Sequence, residues 1–513
     1  MSATPATATA SPARPVNRVL ITASVMAASI MQAIDTTIAN IALPRMQGSL
    51  SGTQDQMVWV LTSYIVATAI MTPLSAWLAV RVGRKRVFFT SVIAFTIASA
   101  LCGMATSLAE IVVFRTFQGL AGAALLPLSQ AILLDINPKE RHGRAMAIWG
   151  MGVVLGPIVG PLLGGWLTED YSWRWVFLVN VPFGILAAIG IAATLPETQP
   201  KRSPFDLFGF AMLSVGVGAL QLMLDRGELK DWFSSTEIRI EALVAALGLF
   251  LFIAHMLTTE HPFISRGLFK DRNFVIGNVF IFMVGTVLFA TLALLPAMMQ
   301  GLMGYPVLTA GLVMAPRGVG TWIAMAVVGR LAGRVDARWL IAVGFGLAAI
   351  SLAQMAALSP QTDAEPLITS GVLQGFGSGL AYVALTIVSF VTLPAHLRDE
   401  GAAFFNLTRN IGSSIGISCI QAYVTSGTSR AHAQLTEQLT PFNAAAVQQQ
   451  VIQPLDTTAG MAALNHVVNT QAGWIAYVNA FHVMMLLTVV VIPLILFARG
   501  AKQGRKASQV APE

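Results

Sequence analysis

The sequence predicts an all-α polytopic membrane protein with about fourteen transmembrane helices, and three observations support that prediction. Hydrophobic residues make up 55% of the 513-residue chain and charged residues only 11%, whereas soluble domains average about 45–50% and about 25%. Apolar stretches of the roughly 20 residues needed to cross a bilayer recur along the chain. The basic residues concentrate in short segments on one side of those stretches.

The predicted spans form two groups of six that flank a pair. The first six lie near 19–43, 57–80, 86–106, 109–133, 144–167 and 174–195. The pair lies near 207–224 and 237–257. The last six lie near 274–298, 309–333, 338–358, 366–393, 400–424 and 478–498. These spans divide the chain into a six-helix bundle over 19–200, a two-helix insert over 201–260 and a second bundle over 261–498. The span near 207–224 is short, so thirteen spans is the alternative.

The distribution of basic residues predicts the orientation. With the N-terminus inside, most of the 31 lysines and arginines fall in cytoplasmic segments, as the positive-inside rule requires. An even number of spans places both termini in the cytoplasm. The net charge of +7 therefore reflects topology, and no nucleic-acid partner is expected.

Three segments outside the spans have distinct compositions. Residues 1–18 are rich in Ala, Thr, Ser and Pro and are predicted to be a disordered cytoplasmic tail, and 499–513 form a second cytoplasmic tail. Residues 425–477 are predicted to be one long outer loop, carrying Gln448, Gln449 and Gln450. That loop either contacts a partner protein or is a flexible loop with no such contact.

Several classes of protein are excluded by what the sequence lacks. Two cysteines, Cys102 and Cys419, cannot form a disulfide framework or a four-thiolate metal site. No His is followed by Glu and no Lys is preceded by Gly, so the zinc-protease and Walker A motifs are absent. No metal or cofactor is expected. A membrane-embedded enzyme or a sensor remains an alternative, although it would need more polar residues inside the spans or a soluble output domain.

An internal repeat supports two related halves. The stretch Ala76–Lys85 recurs loosely as Gly329–Arg338, each time where a span reaches the cytoplasm. Gln118-Gly119 and Gln374-Gly375 recur at a similar offset, each in the fourth span of its half. Transporters are often built from such repeats. Chance similarity between helices rich in Ala, Leu and Gly is the alternative.

Four charged residues lie inside predicted spans: Asp35, Arg115, Arg317 and Arg409. A charge at the bilayer centre costs roughly 2.5–3.5 kcal/mol on insertion scales and usually faces a cavity or a partner. At about 1.5 Å per residue, Asp35 and Arg115 lie at nearly the same depth and could meet. Asp35 is the only acid well inside a span, which makes it the best candidate for a proton-carrying carboxylate. The alternative is a structural ion pair.

The fifth span carries a row of small residues and two prolines. The row is Gly152, Gly156, Pro157, Gly160, Pro161, Gly164 and Gly165. Glycines three and four apart lie along one helix face and allow another backbone to approach closely, and the prolines remove backbone donors. The pattern favours a helix at a moving interface over simple close packing.

These motifs resemble those of the major facilitator superfamily, and within it the fourteen-span drug:proton antiporters of the EmrB type. Asp35–Pro44 resembles the signature of the first span in that group. Arg115-x-x-Gln118-Gly119 resembles the fourth-span motif, and Gly152–Gly165 resembles the antiporter motif of the fifth span. Trp173–Gly184 is similar to the start of the sixth span.

The resemblance implies the major facilitator fold and a secondary transporter rather than an enzyme. Two six-helix bundles would alternate access to a central cavity, and inward proton flow would drive export of hydrophobic compounds from the bacterial inner membrane. Asp35 would exchange the proton and Arg115 would tune it, while the fifth-span glycines would let the bundles move. The candidate substrate cavity comprises Asp35, Asn40, Arg115, Gln118, Arg317, Asn406 and Arg409.

The resemblance also implies partners and an alternative cargo. The expected small-molecule partners are lipophilic drugs and protons, within membrane lipids. EmrB-type proteins are thought to work with a periplasmic adaptor and an outer-membrane channel, so such partners are expected. Export of an endogenous lipid or siderophore is the alternative.

One motif departs from the family pattern. The loop between spans two and three keeps the basic part of its motif in Arg81, Gly83, Arg84 and Lys85. The Gly and Asp that usually precede these residues are replaced by Ala76 and Val80. A cytoplasmic gate that depends on that Asp is therefore not expected.

Overall fold

A computed structural model describes residues 17–138, 141–198, 200, 204–331, 334–437 and 457–498. The tails predicted over 1–18 and 499–513 lie almost wholly outside the described residues. Thirteen helical stretches within the described ranges are long and apolar enough to cross a membrane. The fourteenth predicted span, near 400–424, belongs to a less apolar helix of 40 residues. The predicted all-α polytopic fold is therefore confirmed.

The first half contains eight helical segments. They are α1 Arg18–Leu50, α2 Gln54–Val82, α3 Arg84–Met104, α4 Leu108–Gly122, α5 Leu125–Ile136, α6 His142–Asp170, α7 Trp175–Leu178 and α8 Asn180–Thr194. Local sequence determines where several begin. The Asn17 side chain accepts a hydrogen bond from the Leu20 amide at the start of α1. Thr53 and Gln56 form a reciprocal capping box at the start of α2, which satisfies two otherwise unpaired amides.

The insert and the second half contain the other labelled helices. They are α9 Leu207–Arg226, α10 Thr236–Thr258, α11 Arg266–Lys270, α12 Arg272–Gly301, α13 Val307–Leu331, α14 Ala337–Ala356, α15 Ala364–Val391, α16 Arg398–Glu437 and α17 Thr458–Val491. Asp206 caps α9 and Asp271 caps α12 through their carboxylates. The short predicted span near 207–224 is thus a full helix of 20 residues.

Long helices replace much of the predicted outer loop over 425–477. Helix α16 continues to Glu437 and α17 begins at Thr458. His432 on α16 contacts the Asn465 side chain on α17, at 3.1 Å. Gln448, Gln449 and Gln450 lie outside the described residues. The described parts of this segment are therefore mainly helical extensions of the last two spans.

The two halves meet along four helix pairs. Helix α6 packs on α13 and α15, while α16 packs on α2 and α5. The Trp322 indole of α13 donates to the Met151 carbonyl of α6, at 2.9 Å. Helix α9 lies against both α2 and α16, so the insert covers the junction between halves. Helix α10 packs mainly on α9 and leaves many of its apolar side chains exposed at the protein surface.

Candidate functional site

An ion pair is buried inside the first half. The Arg115 guanidinium of α4 donates to Asp35 Oδ2 of α1, at 2.8 Å. The Asp35 and Arg115 side chains are 0% and 1% exposed. The equal depth predicted from the sequence therefore brings the two residues into direct contact.

Amide side chains occupy the other carboxylate oxygen. Asp35 Oδ1 accepts hydrogen bonds from Gln118 Nε2 and Asn180 Nδ2, each at 2.9 Å. Gln118 Oε1 also accepts from Arg115, at 2.9 Å. Asn180 donates further to the Ser99 hydroxyl, at 3.0 Å. Helices α4 and α8 thus bind the carboxylate that α1 carries, and α3 supports Asn180 through Ser99.

Two of these residues were missed as site residues in the sequence. Asn180 lies in the motif at the start of the sixth span, and a polar amide within an apolar helix is the signal that identifies it. Ser99 gives no comparable signal, because serine is common on packed membrane helices. The Asp35 carboxylate therefore has more hydrogen-bond donors around it than the predicted Asp35–Arg115 pair alone would provide.

The guanidinium is held from its other side by α2 and α7. Arg115 Nε donates to the Val60 carbonyl, at 3.2 Å. The Arg115 Cζ atom lies 4.2 Å from the Tyr64 ring centroid and 5.5 Å from that of Phe177. Cation–π contacts of this kind contribute about 2 kcal/mol when desolvated. Arg115 therefore keeps several contacts even when Asp35 is removed from it.

The side-chain hydrogen-bond partners of Asp35 in this structure are all donors. Arg115, Gln118 and Asn180 each donate to its carboxylate, a pattern that fits an ionised carboxylate. Gln118 Oε1 is itself bonded to Arg115. Movement of α4 or α8 relative to α1 would therefore break bonds to the carboxylate.

The other predicted cavity residues are not part of this cluster. Asn40 is exposed on α1. Asn406 lies at the junction of the halves and donates to Gln130 Oε1, at 3.1 Å. Arg317 and Arg409 lie on α13 and α16 of the second half. The structure thus unites Asp35, Arg115 and Gln118 and separates the remaining four.

A related but uncharged arrangement occurs in the second half. Gln374 of α15 donates to the Thr291 hydroxyl of α12, at 3.1 Å, across a separation of 83 residues. Gln118 reaches Asp35 across the same separation. Thr291 therefore stands where the first half has its acid. Gly371, three residues before Gln374, stands where the first half has Arg115.

Four glycines of the α6 row face α1 of the same half, namely Gly152, Gly156, Gly160 and Gly164. A Cβ atom at Gly156 would overlap the Ala33 backbone, and one at Gly164 would lie 2.9 Å from the Ile38 side chain. The Thr37 hydroxyl donates to the Gly156 carbonyl, at 2.9 Å. The opposite half is contacted instead through other α6 residues, such as Ile158. These glycines therefore pack against the helix that carries Asp35, and the moving interface that the pattern favours stays a prediction.

Gly156→Ala is expected to reduce transport by about tenfold or more, because α1 must shift two residues from Asp35. Overpacking of this kind typically costs about 1–3 kcal/mol, so the thermal midpoint of the purified protein should also fall. Gly165→Ala is the matched control, since no atom lies within 4 Å of a Cβ built there. Equal transport and equal midpoints in the two variants would contradict this role of Gly156.

The basic loop motif ties the halves together at the end of the protein that the sequence predicts to face the cytoplasm. Arg84 donates to Asp135 Oδ2 of α5, at 2.6 Å, and to Asp399 Oδ2 of α16, at 2.8 Å. Arg398 of α16 donates to Asp135 Oδ1, at 2.7 Å. Two of these three contacts join opposite halves. These ends of the two halves are therefore bridged in this conformation, although Val80 replaces the usual Asp.

The other members of that motif have local roles. Gly83 has φ 104°, a left-handed conformation that favours glycine, and a Cβ there would lie 2.9 Å from the Thr198 carbonyl oxygen. Lys85 donates to the Ala192 carbonyl, at 3.0 Å. The Arg81 guanidinium lies 6.0 Å from the Trp77 ring centroid. These contacts hold the loop against α2 and α8.

Ala76 and Val80 line a cavity of about 460 Å³ between the halves. The opposite side of the cavity includes Glu400 of α16, whose carboxylate accepts a hydrogen bond from the Ser265 amide. An Asp at position 80 would add a fourth acid to this cavity, because Asp206 and Glu260 line it as well as Glu400. The absence of an acid at position 80 fits a cavity that is already lined by three.

The fold and the buried site define a membrane transporter, and comparisons with known proteins assign its family. A family model described as Major Facilitator Superfamily matches residues 25–417. The chain belongs to this superfamily, and it is therefore a multi-pass membrane transporter rather than an enzyme. The resemblance inferred from the motifs is confirmed.

Sequence relatives narrow the family further. The chain is 39% identical over 428 residues to the multidrug export protein EmrB of Escherichia coli K12, covering 83% of this chain and 84% of that protein. It is 33% identical over 487 residues to the fatty acid resistance protein FarB of Neisseria gonorrhoeae, which covers 93% of this chain and 96% of FarB. The chain belongs to the family of EmrB-type export proteins.

Solved structures show the same fold at low sequence identity. The human organic anion transporter MFSD10 is 13% identical, with a TM-score of 0.59 over 92% of this chain and 100% of that one. The proton:xylose symporter XylE is also 13% identical, with a TM-score of 0.58 over 93% and 96%. These similarities establish the major facilitator architecture.

Proposed function

We propose that this protein is a proton-driven exporter of hydrophobic compounds, a drug:proton antiporter that works by alternating access. The observation that carries the proposal is the Asp35 carboxylate, fully buried and bonded to three donor side chains on two other helices. The similarity of the chain to EmrB over most of its length supports multidrug compounds as the cargo.

Protonation of Asp35 drives the conformational cycle in this proposal. The ionised carboxylate holds Arg115, Gln118 and Asn180 together. A proton on Asp35 weakens the bond to Arg115 and turns one oxygen into a donor that these partners cannot accept. Because a ligand shifts an equilibrium by its differential affinity for two states, the proton favours a conformation in which these helices are apart.

The proposed location is the bacterial inner membrane, with both termini in the cytoplasm. The excess of lysine and arginine in the predicted cytoplasmic segments supports this orientation. A periplasmic adaptor and an outer-membrane channel are the proposed partners. The helical extensions of α16 to Glu437 and of α17 from Thr458 offer the adaptor a surface on the outer side.

Export of an endogenous lipid is the second candidate. FarB, which is similar over 93% of this chain, is named for fatty acid resistance. Lipids and hydrophobic drugs share an apolar body, so the same transport cycle can serve both. A siderophore exporter has no comparable support.

The proposed function predicts proton-driven accumulation of a lipophilic dye in liposomes. Purified protein is reconstituted, an inward-acid pH gradient is imposed, and uptake of ethidium is followed by fluorescence with encapsulated DNA. Uptake should exceed that of protein-free liposomes and should collapse when nigericin dissipates the gradient. Uptake that does not depend on the gradient would rule out antiport.

A further inference from the structure

Two polar atoms are buried beside the Asp35 site without a hydrogen-bond partner among the described residues. They are the Tyr64 hydroxyl of α2 and the side-chain carbonyl oxygen of Gln32 on α1. Tyr64 and Gln32 are 2% and 3% exposed. Buried polar groups nearly always bond to protein or to ordered water. These two atoms therefore need a partner that the described residues do not supply.

Both atoms lie on one side of Asp35, toward the end of the protein that the sequence predicts to face the cytoplasm. Gln32 precedes Asp35 by three residues, or about 4.5 Å along α1, which begins at that end. The Tyr64 hydroxyl reaches Gly122 of α4, where a Cβ atom would lie 3.4 Å from it. Gly122 follows Arg115 by seven residues, which is about 10 Å closer to the same end. The two atoms therefore extend the Asp35 site toward the predicted cytoplasmic side.

The Tyr64 hydroxyl is not needed for the ring contact with Arg115. That contact uses the face of the aromatic ring, and Phe177 makes a similar one without a hydroxyl. The side chains of Gln32 and Thr68 neighbour the Tyr64 hydroxyl, although neither forms a direct hydrogen bond with it. A buried water typically makes about three hydrogen bonds. Gln32, Tyr64 and Thr68 together offer one water that number of polar groups.

A row of hydroxyl groups continues from Tyr64 along α2. Thr68, Thr72 and Ser75 follow it at spacings of four, four and three residues, which place them along one helix face. Thr72 and Ser75 are 2% and 1% exposed. Thr72 donates to the Thr68 carbonyl and Ser75 to the Thr72 carbonyl, each at 2.6 Å, so each hydroxyl oxygen still has lone pairs that accept a hydrogen bond. Ser75 lies seven residues before the end of α2 at Val82, so the row runs from the Asp35 site to the last two turns of the helix.

We propose that Tyr64 and Gln32 hold a water molecule that relays the proton from Asp35 toward the cytoplasm, and that the hydroxyl row of α2 continues this path. The members of the row lie about 5–6 Å apart along the helix axis, so one water between each pair would complete the path. This inference rests on the proposed exporter function, in which Asp35 exchanges the proton. It adds the route by which that proton leaves.

Each step of the relay leaves the charge of the relaying groups unchanged. The protonated Asp35 carboxyl gives its proton to the bound water, which passes one of its own protons to the Tyr64 oxygen. The Tyr64 hydroxyl releases its original proton to the next water along the row. Every relaying group gains one proton and loses one, so Asp35 ends as a carboxylate and a hydronium ion leaves at the far end. The restored carboxylate is again able to bind Arg115.

X-ray radiolytic footprinting of the full-length protein in nanodiscs tests for the bound water directly. Irradiated water forms hydroxyl radicals that oxidise the side chain beside it, and mass spectrometry detects that oxidation even where bulk solvent has no access. Tyr64 should be oxidised at a rate comparable with that of Tyr171, which is 63% exposed, whereas fully buried Phe280 should stay at background. Gln32→Leu should lower the oxidation of Tyr64 at least about threefold, because loss of one hydrogen bond typically weakens binding by that factor or more.

Tyr64→Phe removes the hydroxyl and keeps the ring that contacts Arg115. Gradient-driven dye uptake should fall at least about tenfold, since a positioned proton-transfer group typically contributes more than that. Dye exchange without a gradient should stay unchanged, because it needs no proton. Proton transfer should then limit the rate, so the solvent isotope effect on uptake in heavy water should exceed that of the parent protein. Tyr171→Phe is the matched control and should change none of the three quantities.

Thr72→Val repeats the test further along the row. It removes a buried hydroxyl at nearly constant volume, so gradient-driven uptake should fall at least about threefold while dye exchange is retained. Uptake equal to that of the parent protein would overturn the part of the path that follows α2.

The outcomes separate this inference from the proposed function. Oxidation of Tyr64 at the background level of Phe280 overturns the bound water. Parent-like uptake and isotope effect in Tyr64→Phe overturn the relay, and so does a parallel loss of uptake and exchange, which assigns the hydroxyl to structure. Gradient-driven uptake by the parent protein would still support the exporter in each case. Oxidised Tyr64 in a parent protein without gradient-driven uptake would instead contradict the proposed function.

Discussion

Asp35→Asn is expected to abolish gradient-driven uptake and leave it at the level of protein-free liposomes. The asparagine keeps an oxygen that accepts from Gln118 and Asn180, so the local hydrogen bonds survive in part. It carries no exchangeable charge and cannot distinguish the two sides of the membrane by proton activity. Dye exchange down its own concentration gradient should continue, because that process needs no proton.

Removing one partner of a buried ion pair also affects stability. Such a change costs about 3–5 kcal/mol when the remaining charge is left unpaired. Here Arg115 keeps the Val60 carbonyl, Gln118 and the Tyr64 ring, so we expect a cost toward the lower end of that range. A lower thermal midpoint with a retained folded fraction is the predicted result for Asp35→Asn.

Two comparisons separate coupling from folding. Asp225→Asn removes another acid near a helix end, one that accepts from the Thr62 hydroxyl, and it should keep coupled uptake. The double variant Asp35→Asn with Arg115→Gln removes both charges, so it should be more stable than Arg115→Gln alone yet remain uncoupled. Full gradient-driven accumulation by Asp35→Asn would show that Asp35 does not carry the proton.

The sequence predicts the charged pair well because the depth of a residue in the membrane follows from its position along its helix. Counting residues from each helix end places Asp35 and Arg115 at the same depth. The spans contain few other charged side chains, so each of the two has few alternative partners. The rotation of each helix about its axis is not encoded so directly. The spacing of Gly156 and its neighbours identifies a close-packed helix face, but it does not say whether that face meets α1 or the opposite half.

Long-range polar partners are harder still to predict. Arg84 pairs with Asp135 and Asp399, which lie 51 and 315 residues away. No periodicity connects them, and the family pattern leads instead to position 80, where this chain has Val. Only the packing of α3, α5 and α16 brings the three side chains together. The sequence therefore indicates that the usual acid is missing without indicating how the chain compensates.

Asp135→Asn is expected to shift the protein strongly toward a conformation open to the cytoplasm. Asp135 accepts from Arg84 of its own half and from Arg398 of the other half. Loss of its charge weakens both contacts and leaves Arg84 with Asp399 alone. If the network contributes about 2 kcal/mol to closure, the ratio of closed to open molecules falls about thirtyfold.

Distances between two spin labels, measured by pulsed electron paramagnetic resonance, can detect that shift. Spin labels at Thr198→Cys and His396→Cys, in a background without Cys102 and Cys419, report the separation of the cytoplasmic ends of the two halves. The parent protein should give a short distance, and Asp135→Asn should convert most of that population to longer distances. Raising the salt concentration should also broaden the distribution of spin-label distances in the parent protein. Part of the charge network is solvent-exposed, and salt screens exposed charges.

Glu197→Gln provides the matched control, since it removes an acid from the same side of the protein. Its pair with Arg86 is 3.8 Å long and exposed by more than half on both side chains. Surface pairs of this kind contribute about 0–1 kcal/mol, so the distance distribution should not change. If Asp135→Asn gives the same distribution as Glu197→Gln, the cytoplasmic ends are held by packing of α5 and α16 rather than by charge. The different result expected from the two acids reflects their geometry, because Asp135 joins two halves and Glu197 lies within one.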